Sequence, residues 1–197
     1  MTKVPGWRTP TKHEQAFVAS LEGYHRRGDR AALAALRRGF GKEPWEAPEM
    51  YPFVVPYLIS ELPARREQAF FVTASAFAQH PCVGVSQEPP AGRRNLGGAL
   101  RETFIHTSED APATERRFVA LLKADQEDLT EHLWRVVTFL RSKEMDVDWR
   151  QFVHDLARPS WSQVRREWAS SFWTSIGEEH DSAREREDVA PQAESLT

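Results

Sequence analysis

The segment TKHEQAFVASLEGYHRRGDRAALAALRR (11–38) carries two complete helix signals end to end. Thr11 and Glu14 have the T-x-x-E spacing of a capping box, in which each side chain satisfies a backbone N–H that the helix itself leaves open. Phe17, Leu21 and Tyr24 follow at i, i+4 and i+7, one face of a helix. Gly28 predicts the stop. Asp29 is placed to cap a second helix with Leu33, Leu36 and Phe40 on one face, and Gly39 and Gly41 end it.

The same grammar continues along the chain. After a loop from Lys42 to Pro48, a third helix is predicted from Tyr51 to Leu62, with Pro52 in its first turn and Pro56 as a kink. A fourth is predicted over 64–79. The stretch 80–95 holds Pro81, Pro89, Pro90, Gly84 and Gly92, and is the best lobe boundary. Beyond it the pattern predicts helices over 96–106 and 114–124. The next has Leu129, Leu133, Val136, Val137 and Leu140 inward, with Asp128 and Glu131 at capping-box spacing. Asp148 can cap a helix bearing Phe152, Val153 and Leu156, which Pro159 ends. Ser160 opens a last helix with Val164, Trp168 and Phe172 on one face. No period-2 strand pattern is evident. The expectation is an all-α protein of two packed helical-bundle lobes, about eight to nine helices in all. The N-terminal lobe takes 1–92, the C-terminal lobe 93–176, and an acidic, disordered tail 177–197.

Composition supports a folded core: 40% of the 197 residues are apolar, with 7 Trp and 11 Phe. No apolar run approaches a membrane span, and the N-terminus lacks a secretory h-region, so the cytoplasm is the expected compartment. Cys82, the single cysteine, has no partner for an internal disulfide. The net charge of −3 conceals a division. Residues 177–197 carry 7 acidic and 2 basic residues, so the rest is slightly basic, at +2. That is not the charge of an autonomous DNA-binding domain. It fits a protein with one basic face, or none.

Signatures of catalysis are missing. Gly97-Gly98 lacks the spacing of a phosphate loop, and there is no HExxH, CxxC or G-x-S-x-G. Glu102 with His106, and Asp128 with His132, have a metal-compatible i, i+4 offset. The further carboxylates of a helical di-iron site are absent, so these pairs read as surface contacts. Asp146-Val147-Asp148 resembles a metal clamp, but Asp148 is better explained as a cap. No catalytic residue, cofactor or metal is expected. The tryptophans at 134, 161, 168 and 173 fall in apolar helical patterns and are expected in the core. His132 and His154 read as structural.

Binding chemistry is more legible. The chain holds 21 Arg against 5 Lys, and Arg makes bidentate contacts to phosphate that Lys does not. On the second helix Arg30 and Arg37 are seven apart with Ala34 between them, and Arg38 stands alongside. Arg116 and Lys123 repeat the spacing around Ala120, with Arg117 flanking. Arg135 and Arg141 project from the next helix. Each stripe has a plainer reading as a solvated face, with Glu131–Arg135 an i, i+4 ion pair. Arg141 and Lys143 can also complement a helix dipole.

The segment DRAALAALRRGFGKEP (29–44) resembles the CasB family, the small subunit of the type I-E CRISPR surveillance complex Cascade. LGGAL (96–100), ERRFVALLKAD (115–125), LRSKEMDVDWRQFVHDL (140–156) and VRREWASSFW (164–173) extend the resemblance in order. It implies an all-helical, two-lobed, non-catalytic protein. Two copies would sit head to tail beside backbone and large subunits that carry guide RNA. Their basic surface would hold target DNA and the displaced strand of an R-loop. By position Arg37, Arg38, Arg116, Arg117, Lys123 and Arg135 fall on the family's basic residues. Gly98 and Gln126 stand where some relatives carry Arg, and the acidic tail is not a family feature. The rival reading is a helical adaptor that contacts only protein.

Overall fold

The computed structural model describes residues 9–58, 62–81, 95–106, 111–125 and 128–173. Cys82, Gln126, the expected 92/93 boundary and the acidic tail lie outside them, as does the His106 side chain. Among the described residues the chain is all-α, with no strand. In order come α1 (Lys12–Arg26), α2 (Arg30–Arg38), α3 (Tyr51–Val54), α4 (Ala64–Gln79), α5 (Leu96–His106), α6 (Ala111–Lys123), α7 (Leu129–Ser142) and α8 (Trp149–Ala157). A last helix, α9, spans 161–173.

The predicted caps at the front of the chain form. The Thr11 hydroxyl accepts from the Glu14 N–H at 3.2 Å, and Glu14 accepts from the Thr11 N–H at 2.7 Å. Asp29 accepts from Ala32 N–H at 2.9 Å and so starts α2. Gly28 between them has φ +66°, a left-handed conformation that costs glycine nothing. Asp148 caps α8 through the N–H groups of Arg150 and Gln151.

Three expectations need correction. The third helix does not run to Leu62. It ends at Val54 and passes through a 3₁₀ turn at Val55–Tyr57 into extended Leu58. Pro56 has no N–H to offer the preceding turn, and its ring crowds that turn's carbonyl, so the helix breaks instead of kinking. Asp128 makes no side-chain cap on α7, because its backbone is already helical at φ −89°, ψ −10°. A cap needs an extended residue whose side chain reaches back over the first turn. α6 begins at Ala111, earlier than expected, since Pro112 suits a first turn.

α4 is the centre of the protein. Every residue from Ala69 to Ala78 is buried, which happens only to a helix covered on all sides. Its hydroxyls remain satisfied within the helix, Thr73 on the Ala69 carbonyl and Ser75 on the Val72 carbonyl. α8 is its main neighbour, joined by α1, α2, α3 and α7, while α5, α6 and α7 pack in succession. α9 inserts Phe172 against Phe118 at 4.6 Å and Phe104 at 5.5 Å between ring centroids.

A buried carboxylate ties α8 to α9. Asp155 on α8 is 2% exposed and accepts from Trp168 Nε1 and Gln151 Nε2, both at 2.7 Å. Burial raises its pKa to about 6, against which the Trp168 and Gln151 hydrogen bonds and the His154 and Arg158 charges pull. The sign follows directly. The folded state holds this proton more tightly than the unfolded chain, so Asp155 lowers stability as pH rises from about 4 to about 6, by up to about 3 kcal/mol. Asp155→Asn should remove that fall. An asparagine amide can donate to Gln151 Oε1, which is buried and unpartnered, once the Gln151 amide turns over. Urea titrations of both proteins at pH 4, 5, 6 and 7 check this: parallel stability curves for the two would show that Asp155 does not carry the dependence.

Candidate nucleic-acid interface

The inner faces of α2, α6 and α7 are committed to the core through Leu33, Leu36, Phe118, Leu121, Val136 and Leu140. Their basic residues are therefore forced outward. Arg30, Arg37, Arg38, Arg116, Arg117, Lys123, Arg135 and Arg141 are all exposed. Two aromatic contacts set the three helices beside one another. Phe40, just past α2, meets Trp134 of α7 at 5.1 Å, and the Arg117 guanidinium of α6 stands 4.5 Å over the Phe139 ring of α7. Lys143 reaches the same ring at 5.9 Å.

The eight residues are not equivalent. Arg37 donates through Nε to the Ala78 carbonyl at 2.7 Å, satisfying an acceptor that the end of α4 leaves open. Part of its hydrogen-bonding capacity is therefore structural. Arg135 is paired with Glu131 one turn away, as the plainer reading has it. Among the described residues the other six, Arg30, Arg38, Arg116, Arg117, Lys123 and Arg141, have no carboxylate within ion-pair distance. Lys123 stands seven helical steps past Arg116, a rise of about 10.5 Å, close to three charge spacings of about 3.4 Å along one DNA strand. Ala34 and Ala120 keep the ground between the cations low.

Tryptophan placement departs from expectation. Trp168 is fully buried, but Trp134 is 38% and Trp173 37% exposed. Trp134 sits one position past Leu133, on the turn of α7 that leads through Thr138 to Arg141. A residue i+1 to the core line was the available signal. Trp161 is partly buried. Lys143, expected as a dipole partner at the end of α7, also reaches the Phe139 ring beside Arg117. His154 is structural, its Nδ1 3.0 Å from Glu14 Oε2. Among the described residues no three His, Cys, Asp or Glu side chains converge on a metal position, and no helix is long and apolar enough to cross a membrane.

A family model described as CRISPR-associated protein Cse2 matches residues 32–173, which includes all of α6, α7 and α8 and nearly all of α2. The chain belongs to the Cse2 family. The CasB resemblance carried by the motifs points to the same family, whose solved structures bear either name. A curated Cse2 relative, the CRISPR-associated protein Cse2 of Thermus thermophilus, is 25% identical over 162 residues, 80% of this chain and 87% of that protein. Two solved structures resemble this Cse2-family chain closely. One is a chain of a CRISPR RNA-guided surveillance complex, at 30% identity and a TM-score of 0.72, covering 87% of this chain and 98% of that one. The other is M. ruber CasB, at 25% identity and a TM-score of 0.71, with the same coverage.

Proposed function

We propose that this chain is a non-catalytic small subunit of a type I-E Cascade complex that binds DNA without reading its sequence and stabilises the R-loop. The observation that carries this is the set of six outward cations on α2, α6 and α7 that have no carboxylate partner among the described residues. Likeness to a chain from a CRISPR RNA-guided surveillance complex supports membership of such an assembly. Its partners would be target duplex, displaced strand, a second copy of itself, and the backbone and large subunits with their guide RNA. It would act in the cytoplasm, without metal or cofactor.

The physics suits the role. Exchanging a DNA duplex for a guide–target hybrid is nearly balanced in free energy, so modest contacts to the sugar-phosphate backbone can tip it. Those contacts position the strand and leave sequence to the guide. A protein whose body carries only +2 binds free duplex weakly, with a Kd on the order of 10⁻⁴ to 10⁻⁶ M at physiological salt. Assembly then makes the contact effectively intramolecular.

Arg38→Glu with Arg117→Glu provides the test. Duplex affinity should fall at least about tenfold at low salt, and the slope of log K against log salt should become shallower by about 2. The melting temperature should fall by only about 2–4 °C, since among the described residues neither has an ion pair to lose and Arg117 gives up its contact over Phe139, worth about 0.5–1 kcal/mol. Anisotropy titrations between about 50 and 200 mM salt measure all of this. Identical titrations for variant and parent would remove both residues from the interface. The adaptor reading has its own support in Trp45, 71% exposed, with Tyr51 and Val55 exposed in the same segment. No duplex binding by the parent protein at low salt would favour it.

A further inference from the structure

Arg65 and Arg165 form a second cationic site, separate from the residues above. Arg65 lies in the first turn of α4 and Arg165 near the start of α9. Their guanidinium carbons stand 5.8 and 5.4 Å from the centroid of the Trp161 ring. Neither has a carboxylate partner among the described residues. Burial first, and then the charge of Arg165, push the Arg65 pKa below its ordinary value, so the two cations are close enough to penalise each other.

Behind them Trp161 Nε1 and Arg165 Nε are buried and meet no acceptor among the described residues. Arg165 is held in place because its terminal nitrogen donates to the Ala124 carbonyl just beyond α6. Alongside lies an apolar cleft walled by Val72, Leu129, Leu133 and Leu156. Two cations held this close with no carboxylate between them are relieved by an anion. The aliphatic wall specifies the rest. A phosphodiester brings no group to fill it, and guanidinium groups already stand over the indole where a base would stack. A carboxylate next to an aliphatic side chain satisfies both halves.

The chain itself supplies that chemistry. Residues 185–189 read EREDV, within a tail whose net charge from 177 onward is −5. In an extended segment alternate side chains share a side, so Glu185, Glu187 and Val189 would face one way and Arg186 the other. Reach is not limiting. From Arg165 to residue 173 α9 rises about 12 Å. The 12 residues from 173 to Glu185 can span up to about 40 Å. We propose that residues 185–189 dock in this cleft, with the carboxylates of Glu185 and Glu187 on Arg65 and Arg165, and Val189 against the leucine wall. The tail is then a built-in ligand of the α4–α7–α9 cleft.

Trypsin provides the readout, because it cuts after Arg184 and Arg186. In the full chain at low salt, cleavage there should be about tenfold slower than in a free peptide of residues 177–197. That is the protection expected when an effective concentration on the order of 1 mM meets a contact of about 0.1 mM. Arg65→Gln with Arg165→Gln should restore the peptide's rate. Glu185→Gln with Glu187→Gln and Val189→Ser, which leaves the folded body untouched, should do the same relative to its own matched peptide. A parent tail cut as fast as free peptide overturns the proposal. So does protection that survives the arginine changes but is lost when duplex DNA is added, which would put the tail on the α2–α6–α7 face. The measurement needs no nucleic acid otherwise, so it stands or falls independently of DNA binding.

Discussion

Gly97→Ala is expected to destabilise this protein by about 3 kcal/mol, a large part of the roughly 5–15 kcal/mol that holds a typical domain. Gly97 lies in the first turn of α5, where that helix crosses α9. A Cβ built there would fall 2.1 Å from the Trp168 carbonyl oxygen, 2.8 Å from its carbonyl carbon and 2.9 Å from its Cα. All three atoms are backbone, so no rotamer change relieves the clash. α9 must move bodily, and it carries Val164, Trp168 and Phe172, each fully buried. Moving it also pulls Trp168 Nε1 from Asp155, leaving a buried carboxylate short of a donor. The gain from replacing glycine with alanine in a helix is only about 1 kcal/mol. Gly23→Ala in α1 is the matched control. The nearest atom there is the Arg27 guanidinium at 3.0 Å, a flexible side chain that can swing away. Urea unfolding should therefore show a lower midpoint for the first variant and an equal or higher one for the second. Equal midpoints for Gly97→Ala and the parent would disprove the close α5–α9 crossing.

Glu14→Ala should cost about 3 kcal/mol, or a fall of about 10 °C in Tm for a chain of this size. Glu14 is 1% exposed. It receives the Thr11 N–H at 2.7 Å and His154 Nδ1 at 3.0 Å, with Arg66 at 3.8 Å. Alanine would take the carboxylate from the buried His154 imidazole and from the first turn of α1, at the junction of α1, α4 and α8. The pH dependence gives a second readout. Burial alone would raise the Glu14 pKa, but hydrogen bonds from His154 and Thr11 and the His154 charge outweigh it and hold the pKa below 4.5. A depressed carboxyl stabilises above its unfolded pKa and loses that contribution as pH falls through the folded value. Glu14 thus acts below about pH 4.5, while Asp155 acts between about 4 and 6 in the opposite sense. Glu14→Ala should flatten the acid limb of the stability profile. A parent-like Tm and acid limb would show that the buried pair contributes nothing.

Much of this architecture was legible because local chemistry specified it. The Thr11–Glu14 box, the Asp29 and Asp148 caps, the Gly28 stop and the span of α4 are all set within a few residues of chain. The errors arose where two local rules competed. Pro56 could kink or end a helix, and Asp128 offered capping spacing while its backbone was already helical. Periodicity placed the cations of α2, α6 and α7 outward because Leu36, Phe118 and Val136 claim the opposite faces. It could not say which were unpaired. Arg37 gives its Nε to Ala78, 41 residues away, and only the packing of α2 on α4 creates that contact.

The sequence by itself determined the helices, their caps, the direction of each apolar face and the division between a slightly basic body and an acidic tail. Those follow from spacing and hydrogen-bond chemistry within one or two turns. Tertiary structure decided the rest. It turned the α1 capping residue Glu14 into a buried acceptor for His154, 140 residues on. It made Gly97 indispensable by bringing the α9 backbone against it. It also gathered Arg65 and Arg165 around Trp161, beside an apolar cleft. The physical reason is common to all three. Each depends on two distant segments meeting at a distance of a few ångströms, and no local pattern encodes which surfaces meet.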